Sequence, residues 1–416
     1  MTMKKINIGI LGLGTVGAAV AELIKKNSKT IAQKTGVQIS LKKGCDIRKV
    51  RIPYPTTRNP YEIINDPEIS VVVEAIGGVN PAKKYVLDSI RAGKHVVTTN
   101  KELMALHMEE ILSTAARMGV SVLFEGAVGG GIPILSALRD NLAANKISEV
   151  YGIVNGTTNY ILSKMSRKGW EFPEALKAAQ KKGYAEANPK LDVEGYDASY
   201  KAVILAAVAF GAKVDWQKVY FEGISRITQE DIRYAEEIGY VIKLLAIAKK
   251  VGGQIEVRVH PTLVPKDHPL SFIPGPMNAI YVRGDAVGEL MFYGQGAGGM
   301  ATASAVIADI LSIQKSNPEI ESLEKGKLRP MEEIESRYYI RLTAPDRHGV
   351  LAGISRAFAE QKVSIAAVVQ KETKGKTAAI VIIIHQAKEA NLRRAVAKLK
   401  KLSVVKEVNN VIRVGL

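Results

Sequence analysis

The sequence predicts an α/β protein: a doubly wound parallel sheet first, a mixed α+β region next, and a βαββαβ unit last. Three observations carry this reading. Residues 5–26, KINIGILGLGTVGAAVAELIKK, read as a short buried strand, a glycine turn and a helix. Strand-like and helix-like runs then alternate through residue 125, the mark of a parallel sheet. Residues 337–416 run strand, helix, strand, then strand, helix, strand again.

Length and composition bound the rest. At 416 residues the chain is too long for one ordinary core, so two or three domains are expected. The single cysteine, Cys45, excludes an internal disulfide and fits a reducing, cytoplasmic setting. The formal charge of +17 admits a solvated basic surface, anionic ligands or nucleic acid. Aromatics are only 6%, and no basic run is interleaved with them, which opposes nucleic acid. Lys4-Lys5 before an apolar run imitates a secretory signal, but the glycines there have another use and Glu22 sits inside the helix-like stretch. No segment approaches the span of about 20 apolar residues that a membrane helix needs.

The elements follow in order. Gly12, Gly14 and Gly17 form G-x-G-x-x-G where strand meets helix. The first glycine permits the tight turn, the second lets backbone approach a pyrophosphate, and the third lets the helix pack on the strand. Free amides around Thr15 and Val16 at the helix N-terminus then face phosphate. Further strands are expected at 37–45, 70–75, 94–99 and 120–125, with helices at 82–92 and 105–118. At the end of the second strand, KKGCDIRKV, Asp46 can accept the ribose hydroxyls of NAD, whereas Arg48, Lys49, Lys42 or Lys43 can neutralise the 2′-phosphate of NADP. We read NADP, with NAD as the alternative. Thr98-Thr99-Asn100-Lys101 ends a strand at the edge where open α/β sheets bind ligands, so Lys101 faces the crevice unless it merely caps a loop.

Glu125, followed by Gly129-Gly130-Gly131 and a helix expected near Pro133, offers a carboxylate beside loose carbonyls. Such a loop holds a hard cation or serves as a hinge. Asn155-Gly156-Thr157-Thr158 is a turn into another helix. Helix 172–182 ends at Gly183, residues 184–195 read as a loop, and YDASYKAVILAAVAFG is helical with Asp197 in its first turn. Lys201 lies four residues on, so an i,i+4 ion pair is the bland reading. That pair leaves Glu186 and Asp192 unexplained, in a loop that must fold over the same helix end. Dehydrogenating an alcohol needs a base for the hydroxyl proton and a cofactor for the hydride. Lys201 serves as base if a nearby cation such as Lys101 favours its neutral form. The carboxylates then bind an ammonium, which points to an amino-acid alcohol or aldehyde.

The stretch AQKKGYAEANPKLDVEGYDASYK (179–201) resembles the signature of homoserine dehydrogenases. TTNKELMA, FEGAVGGGIPI, VNGTTNYIL and YGQGAGGMATAS are similar to that family in the same order, over roughly residues 5–315. The resemblance implies interconversion of L-homoserine and L-aspartate 4-semialdehyde in threonine, methionine and isoleucine biosynthesis. It implies Lys201 as proton donor in reduction and base in reverse, assisted by Lys101. Glu186, Asp192, Asp197, Tyr184, Gly156 and Thr157 would surround the substrate, with Thr98, Gly183 and Gly298 beside the cofactor. A monovalent cation, sodium, would sit in the loop of Glu125, Val128, Gly130 and Ile132. Many members carry an arginine where this chain has Cys45.

The resemblance also sets expected boundaries. Residues 1–130 with 300–316 form the Rossmann-type domain, 131–299 an inserted α+β substrate and dimerisation domain, and 317–336 a linker. Residues 337–416, with DRHGVLAGIS and the VSI opening the second strand, resemble a ferredoxin-like ACT domain. Such domains pair and bind an amino acid, here threonine as pathway end product, unless this one serves only to dimerise; the whole would be a homodimer or homotetramer. Two rivals fare worse. A semialdehyde dehydrogenase needs a cysteine nucleophile, and Cys45 lies at the ribose edge. A DNA-binding regulator leaves Asp192, Asp197 and Lys201 without use.

Overall fold

The computed structural model describes residues 4–313, 323–374 and 376–416. They fall into two compact units, Met1–Val154 with Tyr200–Gln217 and Met277–Gly326, and Asn155–Ser199 with Lys218–Pro276 and Lys327–Leu416.

The first unit holds a six-stranded parallel sheet in the order Thr56–Thr57, Val37–Cys45, Lys4–Leu11, Val71–Glu74, His95–Thr98, Val122–Leu123. The order reverses at the Lys4–Leu11 strand, whose neighbours on its two sides are Val37–Cys45 and Val71–Glu74. That reversal opens a crevice at the carboxyl ends, where Gly12 begins the turn into helix Thr15–Thr35. Ile8, Ile10, Val71, Val73 and Val97 are buried in one core with Val20 and Ile24 of that helix. Val306 and Ile310 of helix Gly299–Ser312 complete the same core, so this late helix packs back on the first sheet as expected. Antiparallel strands Gly288–Gln295, Met277–Gly284 and Ile147–Ile153 pair side by side in the same unit. The helix expected from 105 begins earlier, at Lys101, because the Asn100 side chain caps it. The helix expected near Pro133 is only Ile134–Ser136, continued by one wider π-type turn.

The second unit is built on a hairpin, Tyr240–Val251 with Gln254–Pro265. Strands Glu335–Pro345, Ile365–Lys374, Thr377–Lys388 and Glu407–Val414 form an antiparallel sheet under helices Val350–Ala359 and Glu389–Leu399, the expected βαββαβ order. Its core is Ile340, Leu342, Phe358, Ile382, Leu392 and Leu399. The last strand also pairs parallel with the hairpin, Thr262 with Arg413 and Leu263 with Val414, so the C-terminal sheet continues into it. Charges tie the C-terminal fold to the segments that precede the hairpin: Arg341 donates to Asp231 at 2.7 Å, and Arg413, paired with Glu389 of its own fold at 2.8 Å, also donates to Glu222 at 3.1 Å.

The linker expected over 317–336 departs from that description where it can be seen. Residues 317–322 lie outside the described residues. Beyond them, Ile255 donates its amide to Lys327 and accepts from Arg329, while the Arg329 guanidinium reaches buried Glu256 at 2.8 Å. An open strand edge and a buried carboxylate hold this segment in place.

Candidate functional site

The dinucleotide turn is shaped as its glycines require. Gly12 has φ +94°, and a Cβ on Gly17 would come within 1.9 Å of the Gly12 carbonyl oxygen, so helix and turn touch only through glycine. A cavity of about 390 Å³ lies over them, lined by Gly12, Gly14, Asp46, Arg48, Arg58 and Ile47 among others. Asp46 accepts the Leu13 amide at 2.9 Å and both the Nε and a terminal nitrogen of Arg48 at 3.0 Å. The Arg48 guanidinium, helped by these amides, holds the Asp46 carboxyl well below the usual carboxylate range. Two of the candidate ribose-reading groups, Asp46 and Arg48, therefore occupy one ion pair beside Gly14, while Lys42 pairs with Glu68 and Lys43 with Glu62. Ile47, 84% exposed at the cavity edge, is an apolar shelf suited to an adenine, and Arg58 adds a second cation. Sequence reasoning passed over both, because neither belongs to a motif.

Thr98 is fully buried, and its hydroxyl donates to Glu74, itself buried at the end of the neighbouring strand. Burial raises the Glu74 carboxyl, while Thr98 and the amides of Ile76 and Gly77 pull it back. The Thr98 side chain is thus committed within the protein, leaving backbone for any cofactor contact. Asn100 accepts from the Leu103 amide and donates to the Gly78 carbonyl, placing Lys101 as the first residue of its helix at the carboxyl edge of the sheet. Gly298 caps helix Gly299–Ser312, whose first glycine packs on the Thr15 carbonyl.

The expected cation loop is more specific than its sequence. Each carboxylate oxygen of Glu125 accepts a backbone amide, from Leu135 at 2.8 Å and from Ser136 at 2.6 Å. Glu125 therefore caps the turn Ile134–Ser136, and a cation held here would rely on main-chain carbonyls such as those of Val128 and Gly130. Left-handed backbone at Gly129 and Gly130 turns the loop here. Among the described residues no group of three or more His, Cys, Asp or Glu is placed to hold a metal.

In the second unit one residue organises the acids. The Asn155 side-chain amide donates to Asp192 at 2.6 Å and to Asp197 at 2.8 Å. Its oxygen accepts from the Thr158 amide at 2.8 Å, capping helix Gly156–Lys168. Asn155 is buried, so a single amide sets the spacing of two carboxylates and the start of a helix. Sequence reasoning placed Asn155 in a turn and gave it no part in the site. Asp192 sits on a helical turn, Lys190–Val193, inside the stretch expected to be loop. Thr157 donates to the Tyr184 carbonyl, and the Tyr184 ring packs on Tyr160 at 5.0 Å, which seats the chain just after Gly183. Glu186 departs from the expected convergence: its side chain is exposed, and only its carbonyl is held, by Gln180. An acid on an open turn is better solvated by water than drawn to two carboxylates of like charge.

Helix Tyr196–Phe210 carries Asp197 and Lys201 one turn apart. Lys201 is 7% exposed, and its ammonium donates to the Val154 carbonyl at 2.7 Å.

Lys243 is buried as well. Lys243 donates to Asn159 at 3.0 Å and to the Ile273 carbonyl at 2.6 Å, bracing the helix that begins at Gly156. Burial, and secondarily the charge of Arg167, pushes it down to about 8. Below that pH the folded state holds a buried charge; between about 8 and the ordinary lysine value near 10.4 the unfolded state binds more protons. Stability contributed at this position therefore rises with pH through that window. Urea midpoints for wild type and Lys243→Gln should diverge in favour of wild type from pH 8 to 10.5; a constant difference would refute the coupling.

Known proteins resemble this chain throughout. Family models match over residues 12–125 (homoserine dehydrogenase, NAD binding domain), 133–311 (homoserine dehydrogenase) and 338–404 (ACT domain). The homoserine dehydrogenase of Neisseria gonorrhoeae is 43% identical, with 99% of each chain covered, and that of Bacillus subtilis 41%, again with 99% of each. A crystal structure of a homoserine dehydrogenase from Thiobacillus denitrificans superposes with a TM-score of 0.94 at 44% identity, covering 99% of this chain and 98% of the other. A hyperthermophilic archaeal homoserine dehydrogenase in complex with NADPH superposes at 0.64 and 28% identity, over 75% of this chain and 98% of that one.

Proposed function

This chain belongs to the homoserine dehydrogenase family of oxidoreductases, and we propose that it oxidises L-homoserine to L-aspartate 4-semialdehyde and reverses that step, with NADP as preferred cofactor. The observation that carries this reading is the Asn155 amide bridging Asp192 and Asp197, one helical turn from buried Lys201. The paired carboxylates bind the substrate's ammonium and hydroxyl groups, with Thr157, Gly156 and Tyr184 completing the surroundings, while Glu186 stays in solvent. Lys201 takes the hydroxyl proton in oxidation and returns it in reduction, and Lys101 adds positive charge that favours the neutral amine. The nicotinamide cofactor, when bound, accepts the hydride. Gly12, Gly14, Thr15, Val16 and Gly17 receive its pyrophosphate, with Gly183, Gly298 and the Thr98 backbone beside it. Sodium, in the loop of Glu125, Val128, Gly130 and Ile132, would order the backbone there. The C-terminal unit would bind an amino-acid effector, threonine, and the enzyme would act as a cytoplasmic homodimer or homotetramer. The expected domains, 1–130 with 300–316, 131–299 and 337–416, remain our reading of the division of labour.

Purified protein with homoserine should reduce NADP at alkaline pH; no reduction with either cofactor would reject the assignment. Absence of any threonine effect on rate, affinity or melting temperature would remove the effector. Cofactor choice has its own test. Releasing Arg48 from its partner by Asp46→Asn should raise the ratio of kcat/KM for NADP over NAD by about tenfold, the worth of one charge-assisted contact. Arg48→Ala should lower that ratio, and an unchanged ratio in both variants would place discrimination elsewhere.

A further inference from the structure

A cavity of about 730 Å³ lies wholly within the second unit, and the proposed chemistry makes no use of it. One wall is helix Glu389–Leu399 and strand Glu407–Val414 of the ACT fold; the other is the 220–226 segment with Lys190, Glu194 and Tyr196. Glu194, a carboxylate in the acidic stretch around Asp192, thus faces this space.

The charges in the walls do not balance. Five cations and three carboxylates line the cavity, a surplus of two. Arg413 is satisfied by Glu389 and Glu222, and Arg393 by Glu389 and Glu332. Among the described residues, Lys190, Arg226 and Lys400 have no ion-pair partner, and Glu194 is the lining carboxylate left to oppose them. Like charges gathered in a partly enclosed space repel, and a ligand of opposite charge relieves them. The rings of Tyr196 and Phe221, 4.7 Å apart, supply apolar surface beside the charges.

The same wall is continuous with the acids. Ile224 donates its amide to the Val193 carbonyl at 2.8 Å, and Gly195 donates to that of Asp192. A Cβ on Gly223 would fall 1.9 Å from the Val193 oxygen, so segment 222–224 rests directly on the turn that carries Asp192.

We propose that this cavity binds a compact dianion, a dicarboxylate or a phosphate monoester, and that occupancy shifts the Asp192 turn and hence the affinity for substrate. The binding half stands on the cavity alone; the second half rests on the substrate assignment above. Titration calorimetry of the full chain with succinate and with inorganic phosphate, each matched in ionic strength with sodium chloride, tests it. Saturable heat is expected with at least one probe, and which one tells dicarboxylate from phosphate. Lys190→Glu and Lys400→Glu, both at exposed positions, should each weaken it at least tenfold, whereas Lys29→Glu on helix Thr15–Thr35 should not. No saturable heat, or phosphate heat that survives both variants and so belongs to the glycine turn, overturns the site. At saturating probe the KM for homoserine should move at least threefold in wild type and not in Lys400→Glu, whose turnover without probe stays within twofold. Binding without that shift overturns the coupling. If the protein proves inactive on homoserine, the functional reading fails while calorimetry still decides the binding.

Discussion

Lys201→Met leaves a folded protein that binds dinucleotide with its usual affinity and turns over homoserine about a thousandfold more slowly, within the range general acid–base groups contribute. Methionine matches the length and apolar stem of lysine, so the buried site stays filled. It cannot donate to the Val154 carbonyl, which loses a hydrogen bond of 2.7 Å, but it puts no charge inside. Lys201→Arg should not rescue, because a guanidinium holds its proton throughout the accessible pH range and so cannot act as a base. Dinucleotide binding by fluorescence and kcat by absorbance separate the outcomes. A kcat within tenfold of wild type in the methionine variant would remove Lys201 from the chemistry.

The second large effect belongs to Asn155. Serine is as good an N-cap as asparagine, so Asn155→Ser keeps the start of helix Gly156–Lys168. It has no amide to span Asp192 and Asp197. Two hydrogen bonds to charged groups are lost, each worth about 1.5–3 kcal/mol, so kcat/KM for homoserine should fall by about two to four orders of magnitude. The melting temperature should fall as well, because the same bonds hold the fold, but less than in Asn155→Ala, which also loses the cap. The loss should appear mainly in KM, because carboxylates that grip an ammonium in the ground state grip it equally in the transition state. A loss confined to kcat, or restored by Asn155→Ala, would mean the bridge does not position the acids. Asn155→Asp makes the opposite perturbation, adding a third carboxylate to the pair, and should be worse than serine.

Much of the architecture was readable because its signals are local. The glycine spacing at 12, 14 and 17, the alternation that follows and the βαββαβ order at the end each depend on residues close in sequence, and each appears in the structure. Strand Tyr240–Val251 went unread. Its centre, Leu244–Ala248, is a continuous apolar run, and a strand buried on both faces has no alternation to distinguish it from a helix. Lys201 and Lys101 were singled out from their places on a helix and at a strand end. The linker was misjudged because its charges suggest solvent, whereas Arg329 meets a buried carboxylate from a strand more than 70 residues earlier.

The acids show where sequence stops. The order of residues put Asp192, Asp197 and Lys201 within ten positions, which is enough to propose an ammonium site beside an amine base. Only the tertiary structure selected among the four acids of that stretch. Asp192 and Asp197 are gathered by the amide of Asn155, 37 and 42 residues away in the chain; Glu186 is left to water, and Glu194 is given to a different cavity. The reason is physical. A carboxylate held inside a protein needs donors fixed in space, and which acids receive them depends on what the fold brings alongside, a property that no spacing along the chain encodes.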